Sequence, residues 1–402
     1  MNILVLDTIH GGKIIARFLR AKGYTADMVD VYREKDGISP REASGRDYDL
    51  VIAPVHLDPA YPLLRDAAAP VITHHQAVRW IMGKGQERHL VEITGARGKT
   101  TTAHALAHVL SGAGVLHTSR GSRVVPGGEG IGRMGITPAS LLAAAEYARS
   151  ISGWLVGEVS LGFCGAGAVG ILTSMETYRF AAGKKDALAE KLHSGSTLPC
   201  LVTPPGTEKW GNRLPCDAVA TADGSVCHYE WGTIHGRFEN PLLACVPYRE
   251  PLLLAVAAAC VMGQDPKGLS RFAPLEGRLC PSWSGKTLVV DDSNSGTCAR
   301  TAREAISHAR ALLGRRGPLT LVIGKEPGSI CEGFPAEEIA SVIGKEDIDH
   351  LVLVGDYEPD SILPRGRESL PVSPARTLEE GRDCALRICR EGAVVLAVKA
   401  WR

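Results

Sequence analysis

No apolar run in the 402 residues approaches the length of a membrane span, so nothing in the chain reads as a transmembrane helix. Charge of one sign is missing too. The 45 Lys and Arg against 44 Asp and Glu leave a net charge of +1, neither the basic field of a nucleic-acid binder nor the acidic excess of a disordered chain. The 11 cysteines contain no CxxC pair. Their odd number and scatter from Cys164 to Cys389 fit reduced thiols in a cytoplasmic protein better than a disulfide frame or a zinc site. Internal repeats and low-complexity tracts are absent. The opening MNILVLDTIHGG lacks the basic start and small-residue cleavage site of a signal peptide and reads as a first strand. What remains is an ordinary globular composition, 45% apolar and 22% charged, in a chain too long for one core.

Strands alternate with helices along the whole length, the pattern of parallel sheets covered on both faces. Residues 1–88 offer strands at Ile3–Leu6, Ala26–Val31, Leu50–Val55 and Val71–Thr73, with a helix opening at Gly11-Gly12 and a linker at Met82–Gln86. Residues 89–275 offer Leu90–Thr94, Val115–Thr118, Trp154–Val159 and Val169–Thr173. Residues 276–402 offer Thr287–Asp291, Leu319–Ile323, His350–Val354 and Ala393–Lys399. The expectation is three consecutive α/β domains.

The most specific element is Gly95-Ala96-Arg97-Gly98-Lys99-Thr100-Thr101-Thr102, set between a strand and a helix. Its glycines let backbone N–H groups turn toward an anion, and the helix N-terminus adds partial positive charge there. Lys99 is placed to reach a transferred phosphate, and the Thr100 hydroxyl to hold Mg²⁺. A phosphate loop binding ATP is the reading, one residue shorter than the common GxxxxGK[ST] form. His104 and His108 lie four apart on the following helix but have no third partner in sequence, so they read as ordinary histidines.

That short loop resembles the Mur ligase superfamily, the peptidoglycan amino-acid ligases and folylpolyglutamate synthase. Further residues keep the family's order. Thr137-Pro138 resembles its Thr-Pro element, and Glu158-Val159-Ser160 its Mg²⁺-binding acidic motif. Asp186–Leu192 resembles the helix of its carbamylated lysine, which makes Lys191 that residue with Lys184 and Lys185 as rivals. Glu276–Arg278 resembles the entry to a Rossmann-like third domain, Asp291–Asn294 the ribose-gripping segment, and Val398–Arg402 the closing strand. The resemblance implies an ATP-dependent ligase of the cytoplasm that makes an acyl phosphate. Lys99, Glu158 and Lys191 would be catalytic, and Thr100 and Glu158 would hold Mg²⁺. The loop residues Gly95–Thr101 with Arg278, Asp292 and Asn294 would bind ATP.

Two departures bear on the acceptor. The superfamily's Asn-x-x-x-Asp-His element is replaced by Met175–Arg179, where Glu176 is only a partial substitute, and its Asn-rich segment by Tyr248–Pro251. With the N-terminal Leu6–Gly12, this divergent centre resembles the coenzyme F-430 synthases of methanogenic archaea. The resemblance implies a nickel tetrapyrrole substrate whose propionate is activated and attacked by a ring carbon. An amide-forming ligase, a P-loop nickel carrier and a regulatory nucleotide binder are the alternatives. Ligands of open α/β sheets bind outside the carboxyl ends of the strands. In the first domain those ends carry His10, Gly11, Gly12, Arg33, His56, His74 and His75, which suit a polyanion, with Ile9, Val55 and Tyr61 as an apolar wall. The residues do not name the base for ring closure; a rim histidine or the substrate's own carboxylates remain open. The oligomeric state is not legible.

Overall fold

The computed structural model describes residues 1–83, 87–132, 134–314, 317–327 and 334–400. Residues 84–86 of the expected linker and residues 401–402 of the closing motif lie outside the described residues. The chain divides into two compact units, Met1–Ala244 with Tyr248–Phe272 and Cys245–Pro247 with Ala273–Arg402. No helix among the described residues is long and apolar enough to cross a membrane.

The first unit begins with a four-stranded parallel sheet in the order Thr25–Val29, Asn2–Leu6, Leu50–Ala53, Val71–Thr73. Side chains alternate across a strand, so Ile3 and Val5 pack with Ile15, Ala16 and Leu19 of the helix Gly12–Ala21, while Leu4 and Leu6 pack with Val29, Val51 and Leu57 on the other face. The strand Val71–Thr73 runs straight into the helix His74–Met82. Thr73 caps it, accepting from the Gln76 N–H while the Gln76 side chain accepts from the Thr73 N–H.

An eight-stranded sheet follows, in the order Arg213–Pro215, Cys200–Thr203, Gly167–Leu172, Glu87–Thr94, Trp154–Glu158, Gly114–Thr118, Gly121–Val125, Gly130–Gly132. Only its last two pairings are antiparallel. One apolar core joins the two sheets, running from Ile3 and Ile15 to Leu90, Val115, Leu141 and Leu155. The boundary expected at residues 88 and 89 therefore falls on a strand inside this unit. A separate antiparallel sheet, Ala220–Asp223, Val226–Trp231 and Ile234–Glu239, completes the unit.

The second unit holds a six-stranded sheet, Cys280–Ser284, Thr287–Asp291, Gly392–Lys399, Leu319–Lys325, His350–Val354 and Val372–Ala375, parallel beyond its first pair. The amphipathic helix Ala299–Leu313 buries Ala302, Ala305, Ile306 and Ala309. The α/β class read from the sequence is the class observed.

Candidate active site

The phosphate loop bridges the strand Glu87–Thr94 and the helix Lys99–Val109. Two glycines make its shape attainable. Gly98 takes φ 81 at the helix start, and a Cβ on Gly95 would lie 2.1 Å from Thr173 Oγ1. The loop is tied down from the neighbouring strand end. The Ala96 N–H donates to Ser174 Oγ at 3.0 Å, and Thr173 Oγ1 donates to the Arg97 carbonyl. Lys99 Nζ donates to the Gly95 carbonyl at 2.9 Å, curled over its own loop. Thr100 is buried with Oγ1 3.3 Å from Ser119 Oγ, and Thr101 is buried beside it. Pro251, in the segment that replaces the Asn-rich element, stands 3.5 Å from where a Gly98 Cβ would be.

Glu158 ends the strand Trp154–Glu158, in register with Ile93 two residues before the loop, and is 1% exposed. Strand pairing thus puts its carboxylate on the same rim as Lys99 and Thr100. Glu176, the partial substitute for the missing Asp-His element, pairs with Arg97 Nε of the loop at 2.9 Å. Glu92, unremarked in the sequence, is the anchor beneath. Its buried carboxylate accepts from the N–H groups of Cys164, Gly165, Ala166 and Gly167 at 2.5–3.3 Å, fixing the turn after Glu158. The signal was available as a lone acid in the apolar run Leu90–Thr94.

Among the three candidate lysines the structure separates one. Lys184 is half-exposed and bonded to Asp58 at 2.6 Å, and Lys185 faces Glu190 at 3.7 Å. Lys191 is 1% exposed, its Nζ without a hydrogen-bond partner among the described residues and 5.1 Å from the centre of the Tyr178 ring. Burial, aided by the charge of Lys99 and opposed by Asp186, lowers its pKa to about 8. The helix that carries it, Ala187–Gly195, is capped by Asp186.

Of the four histidines expected at the first sheet's rim, the structure places His10 and His56 beside Asp7 and buries His74 and His75. Asp7, at φ 74, follows the first strand. Its Oδ1 accepts from the N–H groups of Ile9 and His10, and its Oδ2 lies 2.7 Å from His10 Nδ1 and 3.6 Å from His56 Nε2. Burial pushes the Asp7 carboxyl up, but the bond from His10, the nearby His56 ring and the backbone N–H groups outweigh it and hold it well below the carboxylate range. The same bond raises His10, against burial and Arg33. Arg33 is exposed on the rim, its N–H bonded to Asp30.

His74 and His75 open a helix rather than a loop, and so point inward. His74 Nε2 meets the Leu6 carbonyl and His75 Nε2 the Ser160 carbonyl, each at 2.9 Å; burial lowers both to a pKa of about 4. Their rings tie the helix His74–Met82 to the ends of the first strand and of the strand that carries Glu158. Gly11 and Gly12 are packing positions: a Cβ on Gly12 would lie 2.0 Å from the Asp7 carbonyl, and one on Gly11 2.7 Å from Ala139 Cβ. Val55 and Tyr61 pack inward, leaving Ile9 as the exposed member of the expected wall.

Within the second unit, Asp292 is buried and its N–H-accepting Oδ1 faces Leu279. Burial lifts its pKa to about 7 against Thr301, Arg278 and that N–H. Asn294 donates to the carbonyls of Gly277 and Asp292 and accepts from the Gly296 N–H, so its amide ties its own loop to Gly277. His104 accepts from Arg123 at 3.0 Å, and His108 packs edge-on to Phe272.

Residues 283–400 match the family model for the C-terminal domain of coenzyme F430 synthetase CfbE. Over its full length the chain is 32% identical to the coenzyme F(430) synthetase of Methanosarcina acetivorans, spanning 99% of that protein. Among solved structures it is similar to MurF from Acinetobacter baumannii, with TM-score 0.58 and 15% identity over 90% of this chain and 84% of that one. It is also similar to the bifunctional folylpolyglutamate synthase/dihydrofolate synthase of Yersinia pestis, with TM-score 0.53 and 14% identity over 82% and 90%. Those two likenesses establish the fold, and the full-length relative establishes the family: the chain belongs to the coenzyme F430 synthetases, ligases built on the Mur fold.

Proposed function

We propose that the protein uses ATP to phosphorylate a propionate carboxylate of a nickel seco-hydrocorphin and closes the last carbocyclic ring on the acyl phosphate, giving coenzyme F430, ADP and phosphate. The observation that carries the reading is one rim holding the phosphate loop, Lys99, Thr100 and Glu158 together. Phosphoryl transfer needs position and charge neutralisation more than covalent chemistry. The loop N–H groups and Lys99 provide both once Lys99 leaves the Gly95 carbonyl for phosphate oxygens.

Thr100 and Glu158 offer the hard oxygen donors that Mg²⁺ prefers, so the residues fit that ion. When bound, Mg²⁺ neutralises charge that develops on the phosphates. The Yersinia pestis enzyme, of the same fold, is complexed with AMPPNP and a Mn ion, which supports a nucleotide and a divalent metal here. Lys191 fits the carbamate role better than its rivals. A lysine lowered to about 8 keeps enough free amine to add CO₂, which converts an unpartnered cation into an anion that screens Lys99.

We assign the first sheet to the tetrapyrrole and the central sheet to ATP. The missing Asp-His element, with Glu176 held by Arg97, supports a reaction that admits no amino acid. The test is heavy-oxygen labelling of the substrate propionate. Label appearing in the released phosphate establishes the acyl phosphate; label confined to the organic product refutes it.

A further inference from the structure

The order of the first sheet places its topological switch point between Asn2–Leu6 and Leu50–Ala53, because the chain leaves the first strand to one side and returns on the other. A ligand crevice opens at such a point, beyond the carboxyl ends of the two strands. Asp7 and His10 follow the first of these strands and His56 the second. Asp7 is fully buried and His10 is 47% exposed, 2.7 Å apart. An ionised carboxylate only accepts, so His10 Nδ1 carries the proton, and in the neutral ring Nε2 is then the nitrogen with the lone pair. His56 stands edge-on to His10 at 4.8 Å between ring centres, and Tyr32 edge-on at 5.4 Å, which limits how far the imidazole turns.

This corner is tied to the ATP rim. Gly11 abuts Thr137 and Ala139, the Ser160 N–H donates to the Ile136 carbonyl at 2.8 Å, and Ser160 lies two residues from Glu158. Lys184 joins Asp58, two residues beyond His56, to the hairpin that precedes the Lys191 helix.

We propose that His10 is the base of ring closure, with Asp7 its positioning residue; this rests on the function proposed above. The carbon–hydrogen electron pair forms the new bond to the acyl carbon, the acyl carbon–oxygen bond breaks to release phosphate, and the proton passes to His10 Nε2 and then to solvent. Asp7 fixes the tautomer and stabilises the imidazolium, while His56, Tyr32 and Arg33 are the other titratable or charged groups at the site.

Two half-reactions separate this proposal from the ligase reading itself. The full chain is given ATP, Mg²⁺ and the nickel seco-acid; hydroxylamine traps acyl phosphate, and absorbance follows ring closure in a single turnover. His10→Gln, at an exposed position, is expected to trap at least as much hydroxamate as wild type while closing the ring about 10²–10⁴-fold more slowly. Closure by the wild type should fall as the pH drops through the raised His10 pKa. Asp7→Asn should shift that acid limb to lower pH, and His10→Gln should abolish it. Wild-type closure in His10→Gln, or an unchanged acid limb, makes phosphate or a substrate carboxylate the base and overturns the proposal. Absence of any trappable acyl phosphate in the wild type overturns the ligase reading instead.

Discussion

His74, His75 and His117, the last buried in the strand Gly114–Thr118, tie the stability of the first unit to acid. All three are buried and neutral, each lowered to a pKa of about 4 by burial. In the unfolded chain each takes up a proton near pH 6.5. The unfolded state therefore binds more protons between roughly pH 6.5 and 4, and stability falls as the pH falls through that window. At pH 5 each histidine costs about 2 kcal/mol relative to pH 7, so the three together remove about 6 kcal/mol, a large share of a typical folding free energy. His75→Gln keeps an N–H donor within reach of the Ser160 carbonyl and does not titrate. Urea unfolding at pH 7 and pH 5, read from Trp80 and Trp154, should show the variant losing about 2 kcal/mol less than wild type on acidification. Equal losses in both would mean that His75 is not held neutral in the folded protein. Because Ser160 sits two residues from Glu158, the same acidification should loosen the ATP rim before the unit unfolds.

Three further outcomes concern that rim. Lys99→Ala should lower ATP turnover by about 10²–10³-fold, the loss of one preorganised charge at the transferring phosphate, with circular dichroism unchanged; near-normal turnover removes the phosphate-loop assignment. Glu158→Gln should displace the magnesium dependence of turnover to higher concentration, and superimposable titrations would make Glu158 a strand-end residue with no metal role. Activity should fall when CO₂ and bicarbonate are stripped from the buffer and return on resupply. Lys191→Ala should be insensitive to that treatment and should recover partly with short carboxylic acids; a Lys191→Ala enzyme as active as wild type shows that the buried amine is not used.

The phosphate loop was legible because its chemistry is local: glycines, a lysine and a helix start lie within eight residues, and Gly95 and Gly98 adopt the conformations that only glycine takes easily. Strand positions such as Val71–Thr73, Thr287–Asp291 and His350–Val354 were legible from short apolar runs. The first-domain rim was half legible. Strand ends named His10 and His56, but sequence does not show that Thr73 caps a helix at once, which turns His74 and His75 inward. The bonding roles of Asp7 and Glu92 were not legible because each reads as a single acid beside an apolar run, and only the fold reveals the N–H groups that converge on them. The antiparallel strands of Ala220–Glu239 are short, turn-rich and far from any motif, so period and propensity gave them no signal.

The most direct measurement is mass spectrometry of a reaction containing the full chain, ATP, Mg²⁺ and the nickel seco-acid without any amino acid. A tetrapyrrole product lighter by one water, formed in step with equimolar ADP and phosphate, is the expected result. ADP release that requires an added amino acid, with a product heavier by that residue, would contradict it and make the protein an amide-forming ligase.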